Sequence, residues 1–591
     1  MFESNSYFID DILKKYLVPT IVVLLEVSSI SFFNTLIVGK MLGNEALAVM
    51  SLTSSFSFLY FMFGCLINIG ASIAASMALG QRDFKRVGKF ENLALWESVL
   101  IPVLISIVLL IFMHPFMMLL GADESMYQLS KDYVRIILAF GFVYTLMYYP
   151  FNFLRVDGRT QKATGVFALM AGLDFVSVFF VLKMGWGLTA VGFASVLSAL
   201  VADVIGILIL FYGKDRQIRI EKMKTDEVIP MLSEAFQLGS SAGLNNLWNM
   251  LRTMALNKLV VDAFGKDGLA VFAVACSIIN LTNATTLGVG QTTAPIIGVF
   301  YGERDNRSIQ MLMRSGAKYS VLIHIVMFTA LGLFAPQVAG AFGISGALLP
   351  TCVSVIRWTA LGLISSGMVN LYINAYAAVK RVVVSNILTF LRSYGLVVLV
   401  ATLLIKAKIF ADYYITSFMW ADIWTVGFMY MIASWVRKKE PNTYGLMLLD
   451  KRREEGNYLS FSVSAEKGKA SETSERISHF CKENEIPENI TLGIWLALEE
   501  ILSVMSEHCL HNEKNKFLDV RIFKENDEIL VRVRCGGDIF DPLDWYRKKT
   551  ERLSQEELAE DSSLGIRLLT EYSKELNFFR TFCVNNLIAV I

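Results

Sequence analysis

The chain has 591 residues, too many for one ordinary domain, and 54% of them are hydrophobic against 18% charged. No soluble core hides that much apolar surface, so most of the chain must be solvated by lipid, and a wholly soluble protein is excluded. Lys and Arg total 54 against 53 Asp and Glu, a net charge of +1 that gives no sign of a nucleic-acid partner.

Of seven cysteines, Cys65, Cys276 and Cys352 fall in apolar runs, and Cys481, Cys509, Cys535 and Cys583 in a polar C-terminal stretch. No C-x-x-C spacing occurs, which argues against a zinc ribbon or a disulfide framework. The sequence opens Met1-Phe2-Glu3-Ser4 without a basic segment and cleavage site, so the first apolar run is expected to stay in the mature protein.

In chain order, apolar runs long enough to cross about 30 Å of hydrocarbon are predicted at residues 17–38, 47–77, 93–112, 133–153, 164–182 and 188–211. A second set falls at 236–260, 270–300, 319–334, 353–376, 382–404 and 413–434. Asn245, Asn246, Asn249 and Arg252 interrupt the seventh, which reads as a helix facing protein or water. Alternate loops are basic: Arg82, Lys85, Arg86 and Lys89; Arg155, Arg159 and Lys162; Lys214 to Lys224; Arg304 to Lys318; Lys380 and Arg381; Arg437 to Lys439. By the positive-inside rule, twelve spans with this alternation put both termini in the cytoplasm.

The apolar part is also a repeat. Gly43, Leu47, Ala48 and Val49 match Gly265, Leu269, Ala270 and Val271 at an offset of 222 (265 − 43). The same offset takes Gly80-x-Arg82-Asp83 to Gly302-x-Arg304-Asp305, Gly121 to Gly343, Arg135 to Arg357, Asn152 to Asn374 and Arg159 to Arg381. Two six-helix lobes with a substrate site between them are a transporter architecture.

Three motifs carry a family resemblance. The first span ends Asn34-Thr35-Leu36-Ile37-Val38-Gly39-Lys40-Met41-Leu42-Gly43, followed by Glu45-Ala46-Leu47-Ala48-Val49. Gly80-Gln81-Arg82-Asp83 follows the second span, and Leu154-Arg155-x-x-Gly158-Arg159-Thr160 the fourth. Over residues 10–436 the chain resembles multidrug and toxic compound extrusion (MATE) transporters. The resemblance implies export of amphipathic or cationic small molecules, driven by Na+ or H+ through alternating access. The family's first-helix Asp aligns with Asn34, which can ligate Na+ through its carbonyl oxygen but cannot carry a proton. Glu26, Glu97, Asp174 and Asp203 are other acids inside spans. A charged group at a span's centre costs about 2.5–3.5 kcal/mol, so its presence suggests use. Glu26 lies two helical turns before Asn34 and shares its face, and Asp174 resembles the family's fifth-helix acid. Glu26, Asn34, Asp174 and Asp203, with the twin asparagines Asn152 and Asn374, are the candidate substrate and ion cavity. Trp248 and Trp358 read as packing residues ahead of a role in stacking on an aromatic cation.

After Arg437-Lys438-Lys439-Glu440-Pro441 the composition turns polar, and residues 437–456 read as a linker. Beyond it come a strand at 459–463, helices at 471–485 and 487–510, and strands at 517–523 and 529–534 joined by a turn at Glu525-Asn526-Asp527. A glycine turn, a charged segment, a helix at 564–572 and two short strands follow. Leu496-Ala497-Leu498-Glu499-Glu500-Ile501-Leu502, Gly536-Gly537-Asp538-Ile539-Phe540-Asp541-Pro542 and Ser563-Leu564-Gly565-Ile566-Arg567-Leu568 resemble GHKL-type ATP-binding domains of the anti-sigma-factor kinase branch. The resemblance implies nucleotide contacts at Glu500, Gly537, Asp538, Phe540 and Gly565. The family's Mg2+-binding Asn is Val504 here, which has no oxygen for a hard cation. Its adenine-binding Asp is Cys535, and its first glycine of the last box is Ser563. ATP is therefore a candidate ligand without the standard Mg2+ ligand, and the tail is expected to be non-catalytic. His508, Cys509 and His511 lack a second pair at metal-ligand spacing, so no metal site is expected.

The expected fold is an all-α polytopic membrane protein of twelve helices with a C-terminal α/β GHKL (Bergerat-like) sandwich. Its parts are lobes at 1–222 and 223–436, a linker at 437–456 and a cytoplasmic domain at 457–591. The expected function is a secondary active antiporter, not an enzyme, in a bacterial plasma (inner) membrane. Its partners would be membrane lipid, a small-molecule substrate and a cytoplasmic protein bound by the tail, with no nucleic acid. A receptor-like scaffold whose tail signals, or a flippase of a lipid-linked substrate, are the alternatives. The acidic residues Glu556, Glu557, Glu560 and Asp561 are candidate contacts for the basic loops.

Overall fold

The computed structural model describes all residues except 1–6, 43, 120–123, 214–215, 217, 343, 345, 408–416, 452–456, 526–527, 552–563 and 582–583. The expectations at Gly43, Gly121, Gly343, Asn526, Asp527, Glu556, Glu557, Glu560, Asp561 and Ser563 lie outside these. The chain divides into two compact units. One comprises Leu17–Val156 and Thr160–Asp450, the other Met1–Tyr16, Asp157–Arg159 and Lys451–Ile591.

The larger unit is helical. Its first half runs α1 (Tyr7–Leu42, whose start belongs to the smaller unit), α2 (Asn44–Gly64), α3 (Gly70–Gly80), α4 (Phe84–Ile111), α5 (Met113–Leu119), α6 (Glu124–Ala139), α7 (Gly141–Leu146), α8 (Tyr148–Val156), α9 (Thr160–Lys183) and α10 (Leu188–Tyr212). A π-turn at Cys65–Ile69 joins α2 to α3. The second half runs α11 (Thr225–Gly302), α12 (Asn306–Leu333), α13 (Ala335–Ala341), α14 (Leu349–Ala378), α15 (Val382–Phe390), α16 (Leu396–Lys406) and α17 (Ser417–Lys439), with a π-turn at Leu391–Gly395 between α15 and α16. Asn249 and Asn283 of α11 line one cavity. A straight helix would hold them about 51 Å apart over 34 residues (283 − 249), so α11 doubles back and contains two of the predicted spans.

Among the described residues eight helices are long and apolar enough to cross a membrane, or nine if the pair bent by 51° between Ala139 and Gly141 is one span. One of the eight, Glu488–Leu510, buries Ile494, Leu498, Ile501 and Met505 in the core of the smaller unit and is a core helix there. On α4, Leu104 and Ile111 are 62% and 70% exposed, and on α9 Val176 is 64% exposed. Such faces are stable only against hydrocarbon, so the unit is integral to a membrane.

The sequence offset of 222 is visible atom by atom. Asp83 and Asp305 (83 + 222) cap α4 and α12 by accepting from the backbone N–H of Arg86 and Ser308, at 2.9 and 3.0 Å. The residues before them, Arg82 and Arg304, both take the left-handed conformation, with φ of 65° and 56°. Gly158 and Lys380 (158 + 222) do likewise, with φ of 80° and 61°.

Past α17 the chain does not run straight into a linker. Two short strands, β1 (Thr443–Tyr444) and β2 (Leu449–Asp450), pair as a hairpin on the larger unit. Tyr376 Oη donates to Leu446 O at 2.6 Å, Arg381 Nε to Leu448 O at 3.2 Å, and Arg381 pairs with Glu440 at 2.8 Å.

The smaller unit is a mixed α/β body. Its elements are β3 (Asn457–Ser464), α18 (Ser474–Glu483), α19 (Glu488–Leu510), β4 (Phe517–Glu525), β5 (Glu528–Cys535), α20 (Pro542–Thr550), α21 (Leu564–Tyr572), β6 (Glu575–Thr581) and β7 (Val584–Val590). The strands form one antiparallel sheet in the order β3-β4-β5-β7-β6. Strand alternation sends Val520, Ile522, Val531 and Val533 into a core with α19 and α21. The opposite face is charged yet buried: Arg534 Nε lies 2.7 Å from Asp519 Oδ2, and the Arg534 guanidinium stacks 5.1 Å over Phe8 of the same unit. Part of the charged segment expected after the glycine turn is helical: Asp541 caps α20 and Pro542 opens it.

Candidate substrate and ion cavity

In the first half the acid inside α9 meets the asparagine inside α1. Asn34 Nδ2 donates to Asp174 Oδ2 at 2.8 Å, and both side chains are buried. Ser195 also hydrogen-bonds Asp174, and Ser177 and Ser198 pair at 3.0 Å one turn away. Asn34 Oδ1 has no partner among the described residues, so an oxygen is left free to accept from a proton carrier or to ligate a small cation. Asp203 on α10 is 2% exposed with Oδ2 unpartnered, and Glu26 on α1 has Oε2 unpartnered, again among the described residues. Neither contacts Asn34 or Asp174 in a described hydrogen bond. Glu97 on α4 is half-buried with no described ion pair.

A second site lies between the halves. A cavity is lined by Asn152 and Arg155 of α8, Gln291 of α11 and Asn374 of α14, with Tyr148 and Phe151. Asn152 and Asn374 are repeat twins and behave alike. Each donates to the carbonyl four residues earlier, Tyr148 O at 2.8 Å and Asn370 O at 2.9 Å, which are also twins (148 + 222 = 370). Each side chain keeps its carbonyl oxygen to offer the cavity. Arg155 is 2% exposed, donates from Nη2 to Gln291 O at 3.1 Å across the halves, and stacks on Phe151 at 4.9 Å. Neither Arg155 nor Gln291 is among the residues expected to line the cavity: the sequence places Arg155 among loop cations, and its place in a span-end motif is the signal that marks it.

At the end carrying the basic loops the halves touch through glycine. A Cβ on Gly80 would stand 2.1 Å from Val299 O, and one on Gly302 would stand 2.2 Å from Met77 O. These contacts are reciprocal under the repeat, since 80 + 222 = 302 and 77 + 222 = 299. Only glycine permits this approach of α3 to α11. Around it Glu234 is gripped from both halves, by Arg86 Nη2 at 2.6 Å and Lys380 Nζ at 2.9 Å, and Lys89 holds Glu227 at 2.7 Å. Burial raises the Glu234 carboxyl, but Lys380 and Arg86 override it and hold it below the ordinary glutamate value of 4.5.

A family model described as MatE matches residues 19–180 and again 242–403. The chain belongs to the MatE family. The two matches are the two halves of the repeat. Among curated relatives, "Probable multidrug resistance protein YoeA" of Bacillus subtilis is 21% identical over 316 residues, 52% of this chain and 67% of that protein. "Multidrug export protein MepA" of Staphylococcus aureus (strain bovine RF122 / ET3-1) is 21% identical over 397 residues, 66% of this chain and 84% of that protein. An outward-facing multidrug resistance MATE family transporter of the MOP superfamily superposes with a TM-score of 0.66 at 22% identity, over 73% of this chain and 97% of that one. A MOP superfamily transporter from Pyrococcus furiosus, described by the reverse polarity of its binding pocket, gives 0.67 at 22% with the same coverage. At these identities the structures establish a MATE-like helical membrane fold.

In the smaller unit Glu500, Gly537 and Gly565 of the nucleotide motifs make packing contacts within the body, while Asp538 is exposed. Glu500 Oε2 accepts from Ile566 N at 3.0 Å and so caps the start of α21. A Cβ on Gly565 would stand 2.4 Å from Leu496 O, which presses α21 onto α19. Gly537 has φ of 86° and faces Cys509 O at 1.9 Å from a would-be Cβ. Asp538 pairs with His511 at 2.9 Å, while Phe540 stacks on His508 at 4.3 Å. Cys509 and Cys535 are buried beside Asn585, whose Nδ2 reaches their sulfurs at 3.4 and 4.0 Å. The neighbouring Cys509 and burial push the Cys535 thiol up, so it is protonated at neutral pH. His508, Cys509 and His511 therefore point three ways, and no group of three metal-ligating side chains occurs among the described residues. Trp248 packs edge-on against Phe390 at 5.1 Å.

Proposed function

We propose that the chain is a secondary active exporter, not an enzyme, of amphipathic or cationic small molecules, with Na+ or H+ entry as the driving force. The observation that carries this is the buried Asn34–Asp174 pair in the first half; a separate cavity shared by the two repeat-related halves accompanies it. Membership of the MatE family and the multidrug export names of MepA and YoeA support it. Twelve spans, both termini in the cytoplasm of a bacterial plasma membrane, and Glu26, Asp203, Asn152 and Asn374 as further cavity groups complete the reading. In that orientation the glycine crossing and the Glu234 latch close the cytoplasmic side, and export requires them to part and reclose.

The test is dye efflux from proteoliposomes, with tetramethylrhodamine methyl ester as the cation and either a pH or a Na+ gradient imposed. Gradient-driven efflux by the native chain with loss in Asp174→Asn supports the reading. Equal efflux by both sinks Asp174 as the coupling acid, and none by either sinks export.

We further propose that the tail is a degenerate GHKL-like domain that regulates transport or binds a cytoplasmic protein. Its antiparallel sheet carrying helices α18, α19 and α21 supports this, as do the three motifs in order. ATP without a standard Mg2+ ligand is its candidate nucleotide. Isothermal titration of the full chain with ATP and ADP, with and without Mg2+, decides. Mg2+-dependent micromolar binding favours nucleotide gating, and no heat favours a protein partner.

A further inference from the structure

The smaller unit is made of more than the C-terminal domain. It takes in the start of α1, as far as Tyr16, and the turn Asp157–Arg159 between α8 and α9. Both segments come from the first half. Their repeat twins, residues 229–238 (7 + 222 to 16 + 222) and 379–381 (157 + 222 to 159 + 222), stay in the larger unit. The smaller unit therefore distinguishes the two halves.

Its hold on α1 is specific. Phe8, Ile9, Ile12, Leu13 and Tyr16 are all buried, at the spacing of one helical stripe. The guanidinium of Arg534, near the end of β5, lies over the Phe8 ring. Two residues on, a Cβ at Gly536 would stand 3.0 Å from Asp11 Oδ2 and 3.7 Å from Lys15 Nζ. Cys535, between them, points the other way, into the core beside Cys509 of α19. The turn then continues against α19: Asp538 N donates to Cys509 O at 3.0 Å, and Gly537 is pressed on the same carbonyl. The glycine turn is thus wedged between α1 on one side and α19 on the other. Close packing means that it cannot shift without moving one of them. The second segment is equally buried, with Asp157 and Arg159 paired.

These two segments lead to one place. Helix α1 is a single helix from Tyr7 to Leu42, and Asn34 lies 18 residues beyond Tyr16 (34 − 16), about 27 Å along the axis. Helix α9 starts at Thr160, directly after the turn, and Asp174 lies 14 residues on (174 − 160), about 21 Å. The Asn34–Asp174 bond joins these same two helices. We propose that the smaller unit is a clamp on this pair: by fixing the ends of α1 and α9 it sets how Asn34 meets Asp174, and whatever moves the glycine turn at Gly536–Asp538 resets the pair. As control of transport the clamp rests on the export reading; as a mechanical link from tail to pair it does not. Coupling is reciprocal, so a change at Asn34–Asp174 is also felt at the turn.

The test is hydrogen–deuterium exchange by mass spectrometry on the purified full chain in detergent. Phe8→Ala removes the ring under Arg534. It should speed exchange at least about threefold in residues 20–42 and 160–183, and leave 242–264 and 382–405 within about twofold of native. Phe8→Trp, which keeps a ring there, should restore native exchange. Gly536→Val pushes on Asp11 and Lys15 with Phe8 in place, and decides the matter where Phe8→Ala also loosens the sheet at 517–535. In the reverse direction, Asp174→Ala should change exchange at 536–541 by about twofold or more. Effects confined to residues 7–16 and the tail, equal effects in both halves, or no response at 536–541 to Asp174→Ala overturn the clamp. Gradient-driven dye efflux by Phe8→Ala should differ from native by about threefold or more. Native efflux with exchange changes confined to 7–16 sinks the clamp and leaves export standing. Absence of native efflux, with the exchange pattern as expected, sinks export and leaves the clamp.

Discussion

At the scale of single residues, the chemistry is set by which polar atoms the fold leaves unspent. Asn34 spends its amide on Asp174 and keeps its oxygen. Asp174→Asn should therefore reduce gradient-driven dye efflux to the level of protein-free liposomes, with equilibrium dye binding changed less than about tenfold. Glu500 is the opposite case: its carboxylate is consumed by the Ile566 N–H. Glu500→Ala should lower the melting temperature of the tail's transition by a few degrees, the effect of losing a cap worth about 1 kcal/mol. Glu500→Gln, which keeps an oxygen acceptor, should recover most of the loss in scanning fluorimetry. That Asn34 and Asp174 belong to one polar cluster was legible, since both stand out as polar groups in spans; that they bond directly across 140 residues, while Glu26 and Asp203 do not join them in a described hydrogen bond, was not.

At the scale of elements, closure depends on how near two helices can come. Gly80→Val should separate α3 from α11, because its side chain would occupy the space of Val299 O. A cysteine placed at the buried Ser76 should then react several-fold faster with a water-soluble maleimide. The Glu234 latch gives the same readout a pH axis. A carboxyl held below its ordinary value contributes stability that is complete above about pH 4.5 and is lost as pH falls through the depressed value. Labelling at position 76, divided at each pH by that of a fully exposed cysteine to remove the thiolate dependence, should thus stay flat from neutrality to about pH 5 and rise below it, and Glu234→Gln should remove the pH step by leaving this ratio high throughout. Strand and helix positions in the tail were legible because apolar periodicity there is strong; α21 falls where the pattern placed it. Helix α20 and the β1–β2 hairpin were not, because a capping Asp541 before Pro542 and a buried Met447-Leu448-Leu449 carry little periodicity over so few residues.

At the scale of the whole molecule, the repeat was legible and its geometric consequence was not. An offset in sequence says that two segments are alike; it does not say that they touch each other. Here they do, at Gly80 and Gly302. Gly302→Val should accordingly reproduce the Gly80→Val phenotype, and the double variant should fall well short of the sum, since both changes open one crossing. Alkylation rates for the single and double variants check this.

The crossing has the form of a twofold-symmetric subunit interface. Residue 80 meets the partner's 299 and residue 302 meets the other's 77, as in a dimer of identical chains where each contact occurs twice. One half paired with a copy of itself through this patch would repeat the same two contacts. Within one chain the halves are free to differ away from the crossing: residues 256 and 396, the twins of Asn34 and Asp174, are leucines, while Gly80 and Gly302 are held to the same residue by the one crossing they share.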